Sequence, residues 1–188
     1  MAMDPLKIIK KYYRPGTKAY KSLVNHGRLV SKKAAEIAKK AKKKNPKLKI
    51  DMQFLKEAAM LHDIGIIRVH APDIGCHGKH PYIMHSIIGS RILKKEGLPR
   101  HAKVCETHIG VGLTKADIRK QKLPLPKISM VPKTAEEKII CLADLFYSKR
   151  PDVKDRELSI EFIEMMISRF GRHKVRKMRR MFKEFGYP

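Results

Sequence analysis

Several features are scarce in this chain of 188 residues, and each scarcity narrows what it can be. No apolar run approaches the roughly 18 residues needed to cross a bilayer, so no membrane partner is expected. The opening MAMDPLKIIKKYY has no long apolar core ending in a small-residue cleavage site and does not read as a secretory signal. Cysteine is limited to Cys76, Cys105 and Cys141. That odd count, without a CxxC pair, reads as reduced thiols in a cytoplasmic protein. There is no alternating apolar–polar run of useful length, no internal repeat and no low-complexity linker. Acidic residues are scarce too: 18 Asp and Glu stand against 43 Lys and Arg, a formal charge of +25.

Such a charge implies a positive field that attracts nucleotides, nucleic acids or acidic partners. Its distribution is uneven. Residues 1–49 carry 16 Lys and Arg against two acids, and the segment from Arg172 to Lys183 carries seven against none. Lysine-rich solvated helix faces are the plain alternative. The middle, which holds most of the nine histidines, is closer to balance.

What the chain does have is helical periodicity. From Thr17 to about Lys44, the positions Leu23, Val30, Ala34, Ile37 and Ala41 fall on one helical face, and Asn45-Pro46 ends it. Asp51 is a plausible N-cap for a helix carrying Phe54, Leu55, Ala58 and Leu61, with Gly65 as its terminator. Residues 66–81 contain two prolines and two glycines and should form an ordered loop. Further helices are expected over about Tyr82–Glu96, from near Arg100 to before Gly110, after the capping-box patterns Thr114/Asp117 and Thr134/Glu137, and over Arg156–Phe170 and Arg172–Phe185. LPLPKISMVP is a proline-limited connector. The expected fold is an all-α, single-domain helical bundle over 1–188, with a core of about 20–150 and a basic C-terminal helical extension over 151–188.

Six polar residues conflict with that apolar pattern. His26 lies three after Leu23 and four before Val30, His62 seven after Leu55, and His108 four after Val104. His85 precedes Ile88 by three, and Asp144 follows Ile140 by four inside IICLADLF. Asp63 adjoins His62 where its helix ends. One buried histidine with a backbone partner is common; six polar groups on the buried sides of several helices would be very expensive in isolation. A metal centre in the core supplies a shared explanation, and imidazole with carboxylate suits divalent transition metals (Mn, Fe, Co, Ni or Zn) better than Mg. His26, His62, Asp63 and Asp144 can fill positions on one ion, and His85 and His108 can hold a second, with Asp63 bridging. Two such ions about 4 Å apart suit phosphate ester hydrolysis.

The order H…HD…H…H…D, from His26 through His62-Asp63, His85 and His108 to Asp144, resembles the HD-domain superfamily of metal-dependent phosphohydrolases, and HDIG at 62–65 resembles its HDIG subgroup. The resemblance spans about residues 20–150. More narrowly, HPYIMHSIIGSRIL, CETHIGVGLT and LPLPKISMVPKTAEEKIICLAD resemble small single-domain HDIG proteins from prokaryotes, including archaea. The resemblance implies an HD-type bundle and the same six metal ligands. Two positions depart from the family pattern. Many HDIG proteins carry lysine directly after the glycine, where Ile66 stands here, and some binuclear members have two consecutive histidines where this chain has Thr107-His108-Ile109.

The resulting expectation is hydrolysis of a phosphomonoester or phosphodiester, of a nucleotide by preference, by a metal-bound hydroxide, with Asp63 and His62 as the catalytic pair and one or two ions bound. Arg68, Lys79 and His80 in the loop after HDIG, and Lys149 beyond Asp144, are candidate substrate-phosphate contacts. Glu106 and Asp117 are candidates to orient a ligand imidazole, with surface ion pairs and caps as the alternative. His70, His77, His101 and His173 receive no site role. The rival reading is a basic RNA- or DNA-binding module with a structural or vestigial metal site, although no helix-turn-helix, zinc-finger or aromatic RNA-binding signature is present. The sequence sets no oligomeric state.

Overall fold

A computed structural model of the chain describes residues 3–149, 153 and 155–187. Asp4 accepts a hydrogen bond from the Leu6 amide at 2.9 Å and Pro5 supplies a preset first turn, opening α1 (Pro5–Tyr12). This helix adds to those expected from the periodicity after Thr17. Thr17 caps α2 (Lys18–Lys44), which Asn45 closes before Pro46. Its buried stripe includes Leu23, His26, Val30, Ala34, Ile37 and Ala41, so helical spacing alone puts His26 on the core side. Asp51 caps α3 (Met52–Leu61) through the Phe54 amide at 3.0 Å.

After α3 the chain departs from expectation. Gly65 does not terminate the helix; the backbone continues through His62 and Asp63 into a 3-10 segment, Ile64–Arg68. Gly65 is needed for a different reason. A Cβ there would lie 2.0 Å from the His85 carbonyl oxygen and 2.4 Å from the Gly89 nitrogen, both backbone atoms of the next long helix. The loop of residues 66–81 is ordered, and it also contains a small antiparallel hairpin, β1 (His70–Ala71) with β2 (Cys76–His77). This is the only sheet among the described residues.

A 3-10 turn over Tyr82–Met84 leads into α4 (His85–Lys95), which packs on α5 (Pro99–Thr107). The reciprocal Thr114–Asp117 capping box opens α6 (Lys115–Lys120). Thr134 caps α7 (Ala135–Leu145), while the Glu137 carboxylate reaches the Lys133 amide and the Thr107 hydroxyl rather than closing a box. The chain ends in α8 (Ile160–Ser168), capped by Ser159 and four residues shorter at its start than its pattern suggested, and α9 (Arg172–Glu184).

Two apolar clusters organise the bundle. One joins the C-terminal half of α2 with α3, α7, α8 and α9; the other joins α1 and the N-terminal half of α2 with the HD turn, α4 and α5. Along α2, Leu23 belongs to one cluster and Val30 to the other, with His26 between them. No helix among the described residues is long and apolar enough to cross a membrane.

Candidate metal centre

His26 enters from the first half of α2, His62 and Asp63 from the end of α3, His85 from the start of α4, His108 from the end of α5 and Asp144 from the last turn of α7. Local backbone chemistry aims three of the imidazoles. The Nδ1–H of His62 donates to the Ala59 carbonyl at 2.7 Å, that of His85 to the Tyr82 carbonyl at 2.6 Å, and that of His108 to the Cys105 carbonyl at 2.9 Å. Each bond runs three residues back. A carbonyl only accepts, so Nδ1 carries the proton and the bare Nε2 of each ring faces inward.

The six side chains meet around one carboxylate. Asp63 Oδ2 lies 3.5 Å from His62 Nε2 and 3.6 Å from His26 Nε2, whereas Oδ1 lies 3.2 Å from His85 Nε2 and 3.4 Å from His108 Nε2. Asp144 Oδ1 completes the first side, 2.9 Å from His26 and 3.3 Å from His62. On the second side the Nε2 atoms of His85 and His108 are 3.1 Å apart. The donor atoms of His26, His62 and Asp144, and those of His62, Asp63 and His108, lie within 4.8 Å of one another.

Two observations fit this donor set to divalent ions. Neither Asp63 oxygen accepts a well-directed hydrogen bond, although the residue is only 1% exposed. The Lys149 ammonium faces Oδ2 alone, so Oδ1, buried against His85 and His108, is costly unless a further cation compensates it. In addition, converging imidazole lone pairs repel one another and gain nothing from proximity unless an electrophile lies between them. The nitrogen–carboxylate chemistry matches transition metals rather than magnesium.

The electrostatics point the same way. Burial pushes Asp63 up, but Lys149, His62 and His85 outweigh it and hold the carboxyl well below its usual range. Asp144 is likewise held low, since its close contacts with His26 and His62 overcome its burial. Burial and the nearby Lys149 charge bring His26 down to about 4. Burial also brings His85 to about 4 against the pull of Asp63. His62 shifts upward, because Asp63 and Asp144 overcome its burial.

Of the four candidate phosphate contacts, the structure brings in one. Lys149 Nζ lies 2.5 Å from Asp63 Oδ2 and 3.1 Å from His26 Nε2. Its nearness to Asp63 is an ion pair without good hydrogen-bond direction. Arg68, Lys79 and His80 are exposed, tied by backbone hydrogen bonds such as His80 N–H to the Arg68 carbonyl, and make no described contact with the cluster. Ile66, the residue after the HDIG glycine, is fully buried in the apolar core.

Glu106 and Asp117 touch no ligand imidazole: Glu106 accepts from Ser90, Lys94 and Lys103, and Asp117 serves its cap and Lys174. His70 and His77 pair in the hairpin with exposed side chains, His101 faces Glu57, and exposed His173 lies 3.6 Å from Asp117. Two supporting tyrosines carry no motif of their own. The buried Tyr13 hydroxyl donates to the Ile64 carbonyl at 2.7 Å and accepts from the Ile67 amide at 2.8 Å, pinning the turn after Asp63. The Tyr82 ring packs on the His85 imidazole at 4.8 Å between centroids. The signal that could have placed Tyr13 is the Asp4-Pro5 cap, which opens α1 just before it.

A family model described as the HD domain matches residues 23–148, from the buried face of α2 to the residue before Lys149. The chain belongs to the HD-domain family. This HD domain is 34% identical over 137 residues to an uncharacterised protein of Methanocaldococcus jannaschii, a match covering 71% of this chain and 72% of that one. It is 33% identical over 137 residues to a tRNA (cytidine(56)-2'-O)-methyltransferase of Thermoplasma volcanium, covering 72% of this chain and 34% of the enzyme. The corresponding enzyme of Picrophilus torridus is 37% identical over 95 residues, covering 50% and 24%. The match thus spans about a third or less of each methyltransferase. Among solved structures, the HD domain of the L. monocytogenes phosphodiesterase PgpH superposes with a TM-score of 0.50 and 16% identity over 94% of both chains, a likeness of fold.

Proposed function

We propose that this HD domain is a divalent-metal-dependent phosphohydrolase acting on a phosphomonoester or phosphodiester, with a nucleotide as the favoured substrate class. The observation that carries the reading is Asp63, whose two buried oxygens face two separate imidazole pairs. His26, His62, Asp63 and Asp144 would hold a first ion, and His85 and His108, sharing Asp63, a second. Such ions polarise phosphoryl oxygens and make water a stronger acid near neutral pH. The chain's own groups supply the rest. Asp63 stays anionic and orients the attacking water; His62, held by Ala59, fixes the geometry beside it. Lys149 neutralises charge on the phosphoryl oxygens, the part a lysine after HDIG would otherwise take. The buried core around these groups excludes bulk water and strengthens each interaction.

Metal content of the freshly purified protein, followed by a screen of nucleotides and short oligonucleotides with Mn, Co, Ni and Mg, tests this reading. The His62→Ala/Asp63→Ala double variant should lose bound metal and at least ~100-fold in turnover, since mere supporting partners already cost 10–100-fold. Retention of both metal and full turnover would refute the site.

A second reading, nucleic-acid binding, rests on the methyltransferase relatives and on the surface. Arg172, Arg176, Arg180 and Lys183 form an exposed stripe along α9. Two other cations there have structural work: Lys174 donates to the Gly112 carbonyl and Asp117, and Arg179 pairs with Glu164. RNA binding through the stripe should weaken steeply between 50 and 200 mM salt as counterion release is lost. Salt-independent retention would count against it.

A further inference from the structure

An open cleft of about 430 Å³ adjoins the cluster, with Asp144 and Lys149 in its wall. Its size falls in the ~300–1,000 Å³ range of small-ligand sites. Away from the cluster the wall is apolar, with Ile74, Leu158, Met166 and Tyr147, while Tyr82 stands at the cluster's edge, its ring on His85 and its hydroxyl against Lys149. The two tyrosines differ. Tyr147 is half-buried and its hydroxyl donates to Glu157 at 3.1 Å, so its ring is fixed as wall. Tyr82 is 41% exposed, and of the exposed large hydrophobic residues described it is the one lining the cleft. It is also held in place, because its carbonyl accepts from His85 and its ring rests on that imidazole.

The charges are one-sided. Lys149 is the one cation among the described lining residues, and the other charged groups are Asp144, in the cluster, and Asp73. A second or third phosphate would meet no described cation and would face a carboxylate. A neutral group with N–H or O–H donors, on the other hand, meets Asp73 as an acceptor and the Tyr82 ring as a stacking surface.

We propose that the substrate of this site is a nucleoside monophosphate, its single phosphoryl group at the Lys149 end of the cleft and its base against Tyr82. Tyr82 is then a specificity-determining residue and Asp73 a filter against polyphosphates. The proposal rests on the phosphohydrolase reading of the cluster, but its ligand preference is measurable without turnover.

The test is equilibrium dialysis of the purified, metal-replete protein against a nucleoside 5′-monophosphate, its triphosphate, ribose 5-phosphate and inorganic phosphate, with turnover measured in parallel. The monophosphate should bind at least about tenfold more tightly than ribose 5-phosphate and than the triphosphate. Tyr82→Ala should lower the nucleotide-to-ribose-phosphate affinity ratio about tenfold, and Tyr82→Phe should keep it. Asp73→Lys should shift preference toward the triphosphate. Equal binding of ribose 5-phosphate and nucleotide, stronger binding of the triphosphate, or a ratio unmoved in Tyr82→Ala would each overturn the assignment. Tyr82-dependent nucleotide binding without hydrolysis under any ion would uphold the cleft and defeat the hydrolase reading. Hydrolysis that favours triphosphates would do the reverse.

Discussion

At His26 and His85, burial carries the imidazoles down to about 4, with Lys149 adding to the effect at His26 and Asp63 opposing it at His85. An unfolded chain protonates the same groups near 6.5. Between those values the unfolded state binds more protons, so stability rises with pH and falls as pH drops from about 6.5 toward 4. His62 acts elsewhere. Its raised value gives stability that is complete below 6.5 and lost at higher pH. Asp63 and Asp144, both held low, withdraw their contribution only below the ordinary carboxylate range. Urea melts of metal-free protein should therefore show a lower midpoint at pH 5 than at pH 7, and His26→Gln/His85→Gln should flatten that difference. An unchanged slope in the double variant would place the titration elsewhere. Bound metal should leave over the same acidic window, because protons compete for the Nε2 atoms.

Among the elements, the contact between the Ile64–Arg68 turn and α4 is the most exacting. Gly65 lets the two backbones approach at the level of His85 and Gly89, and Tyr13 fastens the same turn from the other side. Gly65→Ala must push α4 away or distort the HD turn. The expected cost is about 3 kcal/mol, at the upper end for overpacking, together with weakened metal binding as His85 shifts relative to Asp63. Denaturant unfolding and metal titration read the two effects; a variant normal in both would show that α4 can move freely. Some of this was legible in sequence. The caps at Asp51, Thr114 and Thr134 and the spacing of His26 were readable because they depend on neighbours a few residues away. The role of Gly65 was not, because its reason lies in a helix that begins twenty residues later.

On the scale of the whole molecule, the C-terminal helices are part of the main core. Met178, Met181, Phe182 and Phe185 pack in the apolar cluster shared with α2 and α7, and the Phe182 ring meets Phe146 at 5.7 Å. α7 carries Asp144, so this packing supports one residue of the His/Asp cluster. Phe182→Ala should cost about 3–5 kcal/mol, measured by chemical denaturation. A loss under 1 kcal/mol would make α9 a peripheral attachment. The net charge of +25 is also subdivided at this scale. Lys33 is 6% exposed and pairs with Glu36 and Glu157, and Lys174 is 5% exposed and holds Gly112 and Asp117, whereas the α9 stripe remains in solvent.

The sequence by itself determined the helical class, most helix starts and a set of six polar residues on apolar faces, because periodicity and capping are local in the chain. Only the tertiary structure decided that Asp63 offers one oxygen to each pair of imidazoles, that Lys149 alone of four candidate cations reaches them, and that Tyr82 and Asp73 line the cleft beside them. Those relations join residues up to 123 positions apart, as between His26 and Lys149. Such proximity follows from how helices pack, which no local pattern encodes.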